Sequence, residues 1–358
     1  MFFSRDQFCQ LLFSGLQALP SFGVGSGSGG FGAGTDILNI VVPTPAVLKP
    51  RRLWTGKQII STMLSSLSAH IPGSRGLFFE GKAKVPDGVW GEGRGRKDIL
   101  PVSDAVVTIR SNELLTGVLD KNSLGNTSYG FIHAVFEILG AEAAATLLSA
   151  LGRLLTVYLQ VYAQTCGMSD LTLSAAAESE RSRLIKASTA MGFDAASSHC
   201  NGKSSTGSGP SDYLRFAVRS KLRGGAAGAD TSGATAAAAG GAIDNVLMNA
   251  MSSGHTAVIE ACLPHGLAKS FPANQFSLMV TTGAKGSQIN HAMIAVGLGQ
   301  QVLEGRRVPT TAAGKSLPCF PAFDPAPRAG GYISDRFLTG LRPQDYFFRS
   351  SPLPLSAV

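Results

Sequence analysis

Charge is scarce in this sequence. Asp, Glu, Lys and Arg make up 15% of its 358 residues, against 44% hydrophobic ones, a balance that excludes a chain disordered throughout. Paired cysteines are missing too: Cys9, Cys166, Cys200, Cys262 and Cys319 are scattered with no CxxC, which removes a disulfide framework and points to a reducing compartment. The most hydrophobic stretch, 131–162, carries Glu137, Glu142 and Arg153, so it offers no uncharged run of the ~18 residues a membrane span needs. Residues 1–22 are interrupted by Arg5 and Asp6 and lack the basic start and long apolar core of a secretory leader. Without export, Asn126-Thr127-Ser128 loses its meaning as a glycosylation site.

Familiar catalytic signatures are absent as well. There is no GxSxG elbow, and no histidine has the neighbours of a nucleophile and base. Gly314-Lys315-Ser316 ends like a phosphate-binding loop, but Pro309 occupies the place of its first glycine. Residues 25–30 match GxGxxG inside low-complexity sequence that leads into a strand-like run rather than a helix, which favours a plain loop over a dinucleotide site. Cys262 and His265 have a ligand-like spacing, with His199-Cys200 as conceivable partners, yet a structural zinc wants four well-placed ligands. Ordinary core and loop residues are the plainer reading.

What the sequence does have is glycine, 43 of them, concentrated in tracts at 23–34, 197–211 and 224–242 that read as low-complexity insertions. Between them, apolar spacing predicts helices over 6–16, 57–69, 131–164, 171–191, 243–252, 256–262 and 288–298, and a basic helical piece over 213–223. A β-branched run at 37–42 and alternating runs at 77–79 and 105–109 predict strands. Residues 349–358 read as a tail. The length calls for two or three packed units. Lys and Arg exceed Asp and Glu by 31 to 23, an excess that attracts phosphates, anionic lipid or acidic proteins without choosing among them.

Three segments, in order, resemble the largest subunit of multisubunit RNA polymerases: Leu53-Trp54-Thr55-Gly56-Lys57-Gln58, Glu113-Leu114-Leu115-Thr116-Gly117-Val118-Leu119-Asp120-Lys121, and Thr282-Gly283-Ala284-Lys285-Gly286-Ser287. The wording of Gln300-Gln301-Val302-Leu303-Glu304-Gly305-Arg306-Arg307-Val308-Pro309, of 314–320 and of 327–332 is similar to the polymerase I branch, and Ser4-Arg5-Asp6-Gln7 resembles the stretch shortly after its active-site loop. The resemblance implies an α+β, multidomain piece: a mixed pore domain over 1–169, a helical funnel over 170–299, and the start of the cleft and bridge-helix region over 300–358, truncated with a divergent tail. It implies DNA-templated synthesis of ribosomal RNA by a nucleotidyltransferase in the nucleus and nucleolus. The implied partners are the second-largest and smaller subunits, DNA template, RNA transcript and nucleoside triphosphates, with no membrane.

Family members hold catalytic Mg2+ with an NADFDGD loop that these 358 residues do not contain. The isolated chain is therefore expected to be inactive, with no catalytic or metal-binding residue, and to form the channel for entering nucleotides and backtracked RNA. An alternative is a non-catalytic nucleic-acid or polymerase-associated binding module derived from such a fragment. Phosphate contact is expected of Lys285, with Gly286 and Ser287, because glycines admit a phosphate close to backbone while lysine adds a mobile charge; a solvated lysine in a tight turn is the plainer alternative. Arg306 and Arg307 suit phosphate or an intersubunit ion pair equally, and Lys121 faces either the pore or solvent. Gln300 and Gln301 resemble residues beneath the bridge helix, or else are helix-end amides bonding backbone. Trp54 and Lys57 are read as local packing and basic surface.

Overall fold

The computed structural model describes residues 2–16, 41–69, 76–90, 104–200, 212–224, 234–303 and 305–350. The chain forms two compact units, one built from 1–166 with 278–285, the other from 167–277 with 286–358.

In the first unit, strand β1 (Phe2–Phe3) pairs antiparallel with β2 (Trp54–Thr55), Phe2 opposite Thr55. Each strand runs straight into a helix, α1 (Arg5–Leu16) and α2 (Gly56–Ala69). Both helices start the same way. Ser4 N–H donates to Gln7 Oε1 while Gln7 N–H donates to Ser4 Oγ, at 3.0 and 3.3 Å, and Thr55 and Gln58 repeat the exchange at the same two distances. This reciprocal cap satisfies amides that a helix start leaves without intrahelical partners.

Strands β3 (Phe79–Lys82), β4 (Val106–Arg110) and β5 (Glu113–Thr116) form an antiparallel meander. Its tight turn places Ser111 and Asn112 at φ 50° and 69°, the left-handed geometry that matches strand twist, and Asn112 Oδ1 accepts from Leu77 N–H at 2.7 Å. The short helix α3 (Lys121–Leu124) leads into α4 (Phe131–Leu139) and α5 (Ala141–Tyr162). The single helix expected over 131–164 is thus two, broken at Gly140, whose φ of 93° is not helical. Phe8, Leu12, Leu16, Met63, Leu67, Ile109, Phe131 and Leu147 lie in one core. Gly15 allows α1 to come within contact of Leu154 on α5, where an added Cβ would sit 3.2 Å from the Leu154 Cβ.

By length and composition α5 is long and apolar enough to cross a membrane, which the charge-based reading of 131–162 did not anticipate. One of its faces, with Leu147, Leu151 and Leu154, is buried in the core. Its other face exposes Leu148, Leu155 and Leu159.

The second unit is built on α6 (Ala175–His199) and the 29-residue α8 (Ala234–Cys262), with α7 (Asp212–Gly224) beside them. The two helices expected over 243–252 and 256–262 are one, and 234–242, read as insertion, is its first part, since alanine-rich sequence is as good for helix as for linker. The helix expected over 171–191 starts later, at a Ser174 cap, and runs on to His199. Close packing of α6 on α8 relies on small residues: a Cβ on Gly254 would meet Ser188, and one on Gly192 would meet Met251. Helices α9 (Gln275–Thr281), α10 (Gln288–Ala295) and α11 (Pro343–Ser350) and strands β6 (Gly299–Gln300) and β7 (Tyr332–Ile333), paired antiparallel, complete the described elements. Of the strand expected over 37–42, 37–40 lie outside the described residues and Val41 and Val42 are not in a strand. Residues 23–34, 201–211, 225–233 and 351–358 also lie outside them.

Arg181 and Arg336 hold this second unit together. Arg181 donates to the carbonyls of Val296 and Ser334, at 2.6 and 2.8 Å, and Arg336 to that of Ala295 at 3.0 Å. Both guanidinium groups, 11% exposed, also grip Glu178, at 3.1 and 2.8 Å.

Candidate nucleic-acid interface

The segment 278–285 carries Lys285 and touches the segments that carry Lys84 and Lys121. Helix α9 ends there, and its carbonyls are taken up by the turn that follows: Thr282 N–H and Oγ1 both bond Leu278 O, Gly283 N–H bonds Val280 O, and Lys285 N–H bonds Met279 O. Gly283 has φ +78°, and a Cβ there would run into the end of the Lys84 side chain. Glycine is therefore required twice over, for the turn and for the lysine lying on it. Lys121 N–H donates to Thr282 O at 3.2 Å, which ties the second resembling segment to the third.

Beneath them lies Asp120, 4% exposed. Its carboxylate accepts from the backbone N–H of Asn122 (2.9 Å), Val85 (3.3 Å) and Lys84, so its acceptor capacity is spent on backbone. Lys84, Lys121 and Lys285 are all exposed, and among the described residues none of the three forms an ion pair. Lys84 was not singled out from the sequence. It lies outside every resembling segment, and only the space above Gly283 reveals it.

The remaining predicted residues belong to the second unit. Gly286 has φ +80°, and Ser287 caps α10, its Oγ accepting from Asn290 N–H at 3.2 Å. Arg306 is exposed and closes a tight turn with Leu303 through two 2.9 Å backbone bonds. Arg307 is only 8% exposed, 3.7 Å from Asp244. Burial holds its guanidinium below its ordinary range and pushes Asp244 up, each partly offset by the other's charge. Gln300 lies in β6, not at a helix end, and its Nε2 donates to the carbonyls of Gly330 (2.7 Å) and Gln301 (2.9 Å). Gln301 Nε2 donates to Gly299 O at 3.2 Å and its Oε1 accepts from Arg349 at 3.4 Å. Trp54 packs against Phe8 with the rings tilted by 35° and their centroids 5.8 Å apart, and it donates to Pro43 O at 2.8 Å, while Lys57 pairs with Asp104 at 2.8 Å.

Among the described residues there is no group of three or more His, Cys, Asp and Glu side chains able to hold a metal. The described carboxylates do not fit the Mg2+ ligand set that the resemblance implies.

The family description "RNA polymerase Rpb1, domain 3" matches residues 1–171, and "RNA polymerase Rpb1, domain 4" matches 234–333; the chain belongs to this family. Within it, the chain corresponds to a stretch of the polymerase I largest subunit. It is 38% identical over 309 residues to the DNA-directed RNA polymerase I subunit of Dictyostelium discoideum, covering 86% of this chain and 18% of that one. It is 37% identical over 354 residues to that of Schizosaccharomyces pombe, covering 97% and 18%. The human DNA-directed RNA polymerase III subunit is 30% identical over 353 residues, 98% and 21%. The chain thus spans about a fifth of the length of these relatives.

Proposed function

We propose that this chain supplies the pore and funnel of DNA-directed RNA polymerase I, the nucleotidyltransferase that makes ribosomal RNA in the nucleolus. Residues 1–169 are the pore, 170–299 the funnel and 300–358 the start of the cleft leading to the bridge helix. The chain itself transfers no nucleotide, and the enzyme's Mg2+ is held by residues other than these. The observation that carries the reading is the turn at 282–285, where Lys121 N–H bonds Thr282 O and exposed Lys285 follows three residues on. Flexible ammonium groups suit traffic of phosphates that must be attracted and released without reading of bases. In the second unit, Gly286, Ser287 and Arg306 are further phosphate contacts of this reading. Arg307, buried against Asp244, acts through position, and Gln300 and Gln301 brace the strand pair that carries them beneath the bridge helix.

Assembly with the second-largest and smaller subunits, DNA template, RNA and nucleoside triphosphates follows from the same reading. Its support is the exposed side of α5, where Ala141, Ala145, Leu148, Gly152, Leu155 and Leu159 recur at alternating spacings of four and three, the seam of a helix that packs on another helix. An exposed apolar stripe of this kind marks an interface surface. The test is crosslinking in the assembled polymerase, with a photoreactive base at the 3′ end of backtracked RNA. Crosslinks within 282–287 and at Lys121 are expected; their absence from both would overturn the channel assignment.

A further inference from the structure

We propose that Lys84 is a third cation of the phosphate site formed by Lys121 and Lys285, and that the three ammonium groups grip one phosphate segment together. The inference rests on the channel reading above and extends it to a residue that no motif marks. Lys84 stands about 200 residues before Lys285 in the chain. Its N–H is fixed by the Asp120 carboxylate, next to Lys121, and its side chain is laid on Gly283, two residues before Lys285. Lys121 N–H is in turn bonded to Thr282 O. The three lysines thus spring from backbone that is mutually hydrogen-bonded or in contact.

An exposed lysine ordinarily extends into solvent or finds a carboxylate. Lys84, though exposed, lies along the turn at Gly283 and has no carboxylate partner among the described residues, the buried carboxylate of Asp120 being occupied by three amides. Three like charges carried on one small piece of backbone repel one another, and such repulsion is relieved by a polyanion. A phosphate chain is such a ligand, either the triphosphate of a nucleotide or the backbone of single-stranded RNA.

The experiment titrates the full 358-residue chain with a fluorescent ten-nucleotide RNA and, separately, with tripolyphosphate, across a range of KCl concentrations. It compares the unaltered chain with Lys84→Gln, Lys84→Arg and Lys285→Gln, using circular dichroism as the check on folding. Lys84→Gln is expected to reduce the slope of log affinity against log salt for RNA by about 0.7, the value for one single-strand phosphate contact, as Lys285→Gln does, while Lys84→Arg restores it. Loss with both ligands supports a site for phosphate of either source. Loss with RNA alone assigns it to the transcript, and loss with tripolyphosphate alone to the incoming nucleotide. If Lys84→Gln leaves both titrations unchanged while Lys285→Gln weakens them, the role of Lys84 is overturned and the channel reading stands. If the unaltered chain binds neither ligand, both fall.

Discussion

The guanidinium of Arg307 lies flat on the backbone of Gly330, in the space a Cβ would occupy. The buried cation thereby gains a close neighbour, while its Nε has no hydrogen-bond partner among the described residues and its ion pair with Asp244 is long, at 3.7 Å. Gly330→Ala must displace the arginine. Overpacking of this kind costs ~1–3 kcal/mol, to be seen as a lowered midpoint in urea denaturation of the chain, with Gly88→Ala as the comparison, because nothing lies within 4 Å of its Cβ position and its φ is not positive.

Acid should loosen the second unit from two directions. Burial lowers the pKa of His291, and burial followed by the charge of Arg181 lowers that of His255, both from 6.5. A histidine depressed in the folded state contributes stability that is complete above its unfolded value and is lost as pH falls through the folded one. Asp170 is raised by burial, but its bonds to Lys269 and Gly167 outweigh that and leave it below 3.8, so its contribution disappears at still lower pH. Thermal melts should show a first decline starting near pH 6.5 and a second below the ordinary carboxylate range. Replacing His255 and His291 by Gln should remove the first and keep the second.

Glu178 neutralises Arg181 and Arg336 together. Glu178→Gln keeps the shape and removes the charge, leaving two nearly buried cations with weaker acceptors, a loss of ~2 kcal/mol given that charged hydrogen bonds contribute about 1.5–3. Guanidinium denaturation measures it. Glu180→Gln provides the contrast, since its partner Arg183 is 66% exposed and such surface pairs contribute little.

The α5 seam gives a prediction about assembly and not about folding. Leu148→Lys with Leu155→Lys alters side chains 50% and 44% exposed. The chain's circular dichroism should stay unchanged, while a tagged polymerase large subunit carrying the pair should recover fewer of its companion subunits in affinity purification than the unaltered one.

Thr55→Ala removes one half of the reciprocal cap at the start of α2 and should cost ~1 kcal/mol. The family resemblance at 53–58 is in good part this cap, together with Trp54 packed against Phe8. That shows what was legible in the sequence. Motif residues such as Ser4, Gln7, Thr55 and Gln58 announce helix starts, and Gly283 announces a turn, because local chemistry demands them. The break at Gly140 was missed because apolar spacing continues on both sides of it, and 234–242 was misjudged because alanine and glycine runs do not reveal whether a helix partner such as α6 is present. Lys84 was invisible for a different reason. Its significance depends on a contact with Gly283 that only the folded chain creates.

The first unit is not contiguous in sequence, and this has a consequence for how it is made. Segment 278–285 contributes Thr282, the acceptor for Lys121 N–H, and Gly283, on which Lys84 rests, yet the 111 residues from 167 to 277 stand between it and the rest of that unit. At about 5–20 residues per second of synthesis, a ribosome takes about 6–22 s to cross that interval. During that time residues 1–166 have left the exit tunnel without the segment that bonds Lys121 and carries Lys285, so the turn at 282–285 is assembled late, after the chain has already begun the neighbouring unit.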